Sequence, residues 1–104
     1  MARMVVVYRV PKDPEAFDRH YLEVHVPLAK KLPGLRRYSV SNGPIATPTG
    51  GPPVHMVATL HFDSLAAIRA AFATPEGQAC AADRRRLAPR DEDLIMLLFD
   101  EQDV

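Results

Sequence analysis

Apolar residues recur along this chain with two different periods, and the switches between them mark its elements. Met4 to Val10, MVVVYRV, is a β-branched and aromatic run ended by Pro11, and it predicts a strand. The run is apolar on both alternating faces through Val7, which predicts cover on both sides. Asp13-Pro14-Glu15 predicts a helix start, with an N-cap acid, proline at the first helical position and an acid in the first turn. Phe17, Tyr21, Val24, Leu28 and Leu32 then follow the helical period. Pro27 interrupts them. It cannot donate to the Glu23 carbonyl, its ring crowds that carbonyl, and it biases Val26 away from helical geometry. The expectation is a kink or stop near Val24 to Val26, a further turn to Leu32, and an end at Pro33-Gly34.

Leu35 to Asn42 partly alternates and predicts a second strand. Gly43 to Pro53, GPIATPTGGPP, is a proline- and glycine-rich loop, long enough to suggest a lid, a binding edge or a partner contact. Val54 to Phe62 predicts the clearest strand: Val54, Met56, Ala58, Leu60 and Phe62 form an apolar face, and His55, Val57, Thr59 and His61 a mixed one. Asp63-Ser64 caps a helix carrying Leu65, Ile68 and Phe72, and Thr74-Pro75-Glu76 starts another running to about Arg86. Arg84, Arg85 and Arg86 suit its negative C-terminal end. Leu94 to Phe99, LIMLLF, predicts a last strand, apolar on both faces.

The order is β-α-β-β-α-β. Two split βαβ units of this kind predict an α+β fold: an antiparallel sheet ordered 4-1-3-2 with the helices on one face. The other face carries apolar residues of the first and last strands, so its expected cover is a second copy of the same sheet, giving a homodimer.

Composition narrows the picture. The chain has 104 residues, 13 basic and 13 acidic side chains and 47% hydrophobic residues. That length predicts a single domain, residues 1–104. The charge balance removes the general pull towards nucleic acid or anionic lipid, so neither is an expected partner. Cys80 is the sole cysteine and cannot form an internal disulfide; it is read as a small buried hydrophobe. No secretory signal or membrane-spanning run is visible, which predicts a cytoplasmic protein.

His20, His25, His55 and His61 are the histidines. On a regular α-helix His20 and His25 lie about 140° apart and share no face. His55 and His61 share a strand face about 20 Å apart, too far for one ion. No metal-ligand cluster is visible, and no bound metal or cofactor is expected. His25 stands one turn after Tyr21, at the break forced by Pro27, where the freed Glu23 carbonyl would orient an imidazole. Two readings stay open: a general acid or base beside a hydrogen-bonding phenol, or a structural cap of the broken helix. His61 and Tyr38 are weaker candidates, Tyr8 and Tyr38 read most simply as core aromatics, and Arg36-Arg37 as a solvated edge.

Phe17 to Tyr38 carries further meaning as a whole. A strand ending in Tyr8, the pattern F-x-x-x-Y-x-x-x-H-x-P-L over Phe17, Tyr21, His25, Pro27 and Leu28, and then P-G-L-R-R-Y from Pro33 to Tyr38 resemble the EthD family. His61-Phe62-Asp63-Ser64-Leu65, with Phe72 beyond, resembles that family's passage from strand to helix. The resemblance implies a ferredoxin-like subunit forming a dimeric α/β barrel, with a pocket between sheet and helices. Related barrel families hold haem, aromatic polyketides or lactones, and the EthD family is associated with ether degradation alongside an oxygenase system. The resemblance marks His25, Tyr21 and Pro27, with Tyr8 and Tyr38 at aromatic positions.

Three functions are consistent with this reading. The first is an enzyme or accessory protein of oxidative, degradative metabolism acting on a small apolar oxygen-bearing compound, with His25 as general acid or base, Tyr21 polarising the substrate, and Tyr8, Tyr38 and His61 binding it. The second is a haem-binding or haem-degrading protein with His25 or His61 as axial ligand. The third is a non-enzymatic small-molecule binder that supports an oxygenase.

Overall fold

Three side-chain caps fix where the helices begin. In a computed structural model describing residues 1–104, Asp13 Oδ1 accepts from Ala16 N at 3.1 Å, Ser64 Oγ from Ala67 N at 3.0 Å and Thr74 Oγ1 from Gly77 N at 3.1 Å. The first helix runs as α1 (Pro14–His20), a wide π-helical turn (Tyr21–His25) and α2 (Val26–Ala29). The second cap starts α3 (Leu65–Phe72) and the third α4 (Pro75–Leu87). The strands are β1 (Ala2–Arg9), β2 (Arg37–Val40), β3 (Val54–Phe62) and β4 (Leu94–Asp100).

All pairings are antiparallel, in the order β2-β3-β1-β4. This is the predicted 4-1-3-2 sheet read from its other edge, with β1 and β3 central. Met4 stands opposite Leu60 on one side and Leu98 on the other, so one face of the sheet carries a continuous apolar stripe. Met4, Val6 and Tyr8 of β1 and Ala58, Leu60 and Phe62 of β3 are buried there under Phe17, Tyr21, Ala29, Ile68, Ala71 and Cys80. Each large side chain so buried contributes about 1.5–3 kcal/mol. Gly34 ends the first helical segment's final turn with φ 79°, a left-handed geometry that suits glycine.

The helix does not stop at Val24 to Val26, and Val26 is not turned out of helical geometry. His25 (φ −68°, ψ −45°) and Val26 (φ −58°, ψ −48°) are both helical. Instead Val26 N–H donates to the Tyr21 carbonyl, five residues back rather than four. Pro27 therefore falls in the first turn after the widening, where a missing donor costs least.

A second irregularity lies in the sheet. Tyr8 pairs with Met56 and Arg9 with Val54, which leaves His55 with no cross-strand partner. His55 is turned towards α1, where its Nε2 meets Asp18 Oδ1 at 2.7 Å and its ring stands edge-on to Phe17. It therefore does not share the face of His61, contrary to the alternation expected of an unbroken strand.

The other sheet face is uncovered within the chain. Val5 and Val7, Val57 and Thr59, and Ile95, Leu97 and Phe99 follow one another across it in register. The last three are 41%, 48% and 39% exposed. No helix is long and apolar enough to cross a membrane.

Candidate functional site

The wide turn carries the chemistry. Closing a turn over five residues brings residues five apart towards one side of the helix. His20 and His25, predicted to share no face, both meet the carboxylate of Asp83 on α4. His25 Nδ1 lies 2.9 Å from Asp83 Oδ2, and His20 Nε2 lies 2.8 Å from Asp83 Oδ1. Asp83 is buried, His25 is 6% exposed, and the His20 side chain is about one-third exposed. The partner that orients the His25 imidazole is therefore Asp83, and not the Glu23 carbonyl expected from sequence.

His25 and Tyr21 line a cavity of about 340 Å³ between the sheet and the helices. Its floor includes Met4, Val6, Ala58 and Leu60, and its walls Ile68, Phe72 and Cys80. Met96 and Leu98 of β4, 39% and 51% exposed, and the exposed Arg69 of α3 mark its mouth. The lining is apolar apart from three tyrosine hydroxyls, the Cys80 thiol, His25, Arg69 and Arg84. None of the long 43–53 loop lines it.

Burial is the largest influence on the His25 imidazole and lowers its pKa; the hydrogen bond to Asp83 opposes this. Burial works against the Asp83 carboxylate too, but the bonds from His20 and His25 outweigh it and hold its pKa below the ordinary carboxylate value. At neutral pH His25 is thus a neutral imidazole whose Nδ1–H donates to Asp83. That tautomer leaves the Nε2 lone pair, which has no bond within the chain, available to the cavity.

The tyrosines form a second polar group. The hydroxyls of Tyr21 and Tyr38 are hydrogen-bonded to each other, and the Tyr21 ring lies 5.0 Å from that of His25. Tyr8 packs edge-on against Tyr21 at 5.9 Å. Burial first, and then the neighbouring Tyr38, raises the pKa of Tyr8 and Tyr21. Burial also pushes Tyr38 up to about 12 and the Cys80 thiol up to about 11. These hydroxyls stay protonated at neutral pH and act as hydrogen-bond donors, and the thiol is a poor nucleophile.

Of the residues singled out in the sequence, His25, Tyr21, Tyr8 and Tyr38 are brought together at this cavity. His61 is not: it stands on the opposite face of the sheet, against the Arg3 guanidinium, which also pairs with Glu101. Of the two histidines considered as axial ligands for haem, only His25 reaches the cavity. Sequence reasoning missed Asp83, the second histidine His20, and the arginines. A signal for Asp83 was present, since Gly77, Cys80 and Asp83 repeat every three residues and place an acid on the buried stripe of α4.

Known proteins bear out this architecture. The family model of the EthD domain matches residues 10–91. A Rhodococcus erythropolis protein, described as an uncharacterized 11.0 kDa protein of the thcB-thcC intergenic region, is 41% identical over all of this chain and 98% of its own length. Among solved structures, an EthD family protein from Bacillus halodurans is similar with a TM-score of 0.86 and 29% identity, over 98% of this chain and 99% of that one. SnoaB, a cofactor-independent oxygenase from Streptomyces nogalater, shares the fold with a TM-score of 0.65 and 19% identity, over 99% and 94% of the two chains.

Proposed function

The chain belongs to the EthD family, and from that premise we propose that its cavity binds a small, apolar, oxygen-bearing organic compound of oxidative metabolism, on which His25 moves a proton. One observation carries this reading: an imidazole nitrogen with a free lone pair, fixed by a buried carboxylate, opens onto a largely apolar cavity beside a tyrosine pair. A volume of about 340 Å³ is at the lower end of small-molecule sites. The substrate class that fits is a ketone or phenol with an acidic C–H or O–H. Nε2 takes that proton, a Tyr21 or Tyr38 hydroxyl donates to the oxygen on which charge develops, and Asp83 stabilises the imidazolium. SnoaB, which has the same fold, is a cofactor-independent oxygenase, and deprotonating an organic substrate is a step open to side chains alone. The working unit in this reading is a homodimer joined through the uncovered sheet face.

Deuterium exchange into 2-tetralone, followed by NMR in heavy water, tests proton abstraction without knowledge of the natural substrate. The protein is expected to accelerate exchange, and His25→Gln to reduce that acceleration about 10²-fold or more with the fold intact. Equal exchange rates for the two proteins would exclude His25 as the base.

A further inference from the structure

We propose that the ligand of this cavity is an amphipathic acid, its apolar body against the cavity lining and its carboxylate held by Arg84, with Arg69 adding positive charge at the mouth. The proposal rests on the cavity being a ligand site and goes on to name the ligand's class. It begins from charge. No acidic side chain lines the cavity, whereas two guanidinium groups do. Asp83 is the nearest acid in the sequence to Arg84, but each of its oxygens is engaged by a histidine.

Arg84 is half-buried on α4, and its bond within the chain is from Nη1 to the Ala88 carbonyl at 3.0 Å. A guanidinium has five N–H donors in a planar fork, so most of its capacity is unused. Arg3, Arg36 and Arg90 each pair with a carboxylate, but Arg84 and Arg69 pair with none. Its bond to Ala88 makes Arg84 a cap for the end of α4, yet that role occupies one N–H, and the exposed Arg85 and Arg86 already suit the negative helix end. The charge of Arg84 opposes the burial-driven rise at Tyr8 and adds to the burial-driven fall at His25, which places it beside the cavity's polar groups.

A half-desolvated cation beside an apolar cavity gains most from an anion that forms paired hydrogen bonds with it. Low-dielectric walls strengthen this attraction. An apolar acid meets both halves of the site, whereas a neutral ligand leaves the fork unpaired.

The test compares 2-naphthoate with its neutral methyl ester, which share one ring system. Binding is followed on the His25 Hε1 NMR resonance, identified by its loss in His25→Gln, so that the signal reports the cavity and not the open sheet face. At pH 7 and low salt, naphthoate is expected to bind about tenfold or more tightly than the ester. Arg84→Gln combined with Arg69→Gln should abolish that preference and leave ester binding intact. Should Arg84→Gln fail to fold, the exposed Arg69→Gln alone and the salt dependence of the wild type decide: naphthoate should weaken with either, and the ester with neither. Equal affinities, or a preference that survives loss of both arginines, would overturn the amphipathic acid but leave the cavity as a ligand site. No His25 shift with either probe would overturn both.

Discussion

Asp83 bears more of the site than any residue the sequence pattern singled out. Its two oxygens take one hydrogen bond each from His20 and His25, so its removal strands two donors, one of them buried. Asp83→Ala is expected to cost about 2–3 kcal/mol in urea unfolding, and Asp83→Asn less, because the amide oxygen still accepts from one imidazole. A cost for Asp83→Ala within 0.5 kcal/mol of zero would mean that the bonds are not made in solution. The same group sets an acid dependence. The folded-state pKa of His25 lies below its ordinary 6.5, burial being the main cause, and that of His61 is lowered as well, by burial and then by Arg3. The unfolded chain therefore binds these protons more readily. Their neutral forms are accommodated in full above 6.5, and stability declines as pH falls through that value. Asp83, held below its ordinary 3.8, has the same sign and loses its contribution as pH falls below that value. The urea midpoint should thus drop between pH 7.5 and 5.5, and His25→Gln should flatten the drop. A level wild-type profile over that interval would contradict the assignment. His25 and Tyr21 were legible as candidates because their spacing marks a helix face. The place of Asp83 on the buried stripe of α4 was legible from its spacing, but its histidine partners were not, because they stand on a helix more than fifty residues away along the chain.

Element boundaries were largely readable because caps and alternation are local. Asp13, Ser64 and Thr74 mark the three helix starts, and the Val54–Phe62 strand was predicted with its observed limits. Two departures from regular geometry were not readable, and both alter where a histidine points. The wide turn at Tyr21–His25 brings His20 and His25 to one carboxylate, and the unpaired position in β3 turns His55 to Asp18. Sequence periodicity assumes a constant number of residues per turn or per pleat, so one extra residue inverts every facing argument beyond it in a strand and rotates it by about 100° in a helix. Pro27 provides a test. Within a regular helix a proline costs about 3 kcal/mol, so its removal would stabilise the protein. After a widened turn it meets no such penalty, and Pro27→Ala is expected to destabilise by about 0.4–1 kcal/mol through the freer unfolded chain. A gain of stability on this substitution would show that the helix is strained at Pro27. The α3–α4 corner is narrower still. A Cβ on Gly77 would run into the Ala71 carbonyl oxygen and the Phe72 backbone, groups that cannot rotate away. Gly77→Ala is therefore expected to cost about 1–3 kcal/mol, despite alanine's better helix propensity.

At the scale of the molecule, the sheet divides the chain's apolar residues between two surfaces. One surface is the core and the cavity. The other presents Val5, Val7, Val57, Ile95, Leu97 and Phe99 to no part of its own chain. Strands apolar on both faces were visible in MVVVYRV and LIMLLF, which is why an uncovered face followed from sequence alone, while the sheet order followed from the right-handed crossovers of two split βαβ units. A continuous apolar face of this kind is costly to leave in water, and with 13 basic against 13 acidic side chains little net charge keeps copies apart. Sheet-on-sheet pairing of two copies would bury it at the usual spacing of about 10 Å. Leu97 sits midway along the edge strand β4 on that face, opposite Val5 of the central strand β1, and is 48% exposed. Replacing it with glutamate would place one charge from each copy in the seam, unpaired and desolvated, while leaving the helix-side core untouched. Sedimentation at micromolar concentration is expected to give a dimer for the wild type and a monomer for Leu97→Glu, with unchanged far-UV circular dichroism. The variant's thermal midpoint should be independent of protein concentration, whereas that of the wild type should rise with it, because association stabilises only the folded chain. A wild-type monomer, or a Leu97→Glu dimer of undiminished affinity, would show that this face is not where copies meet.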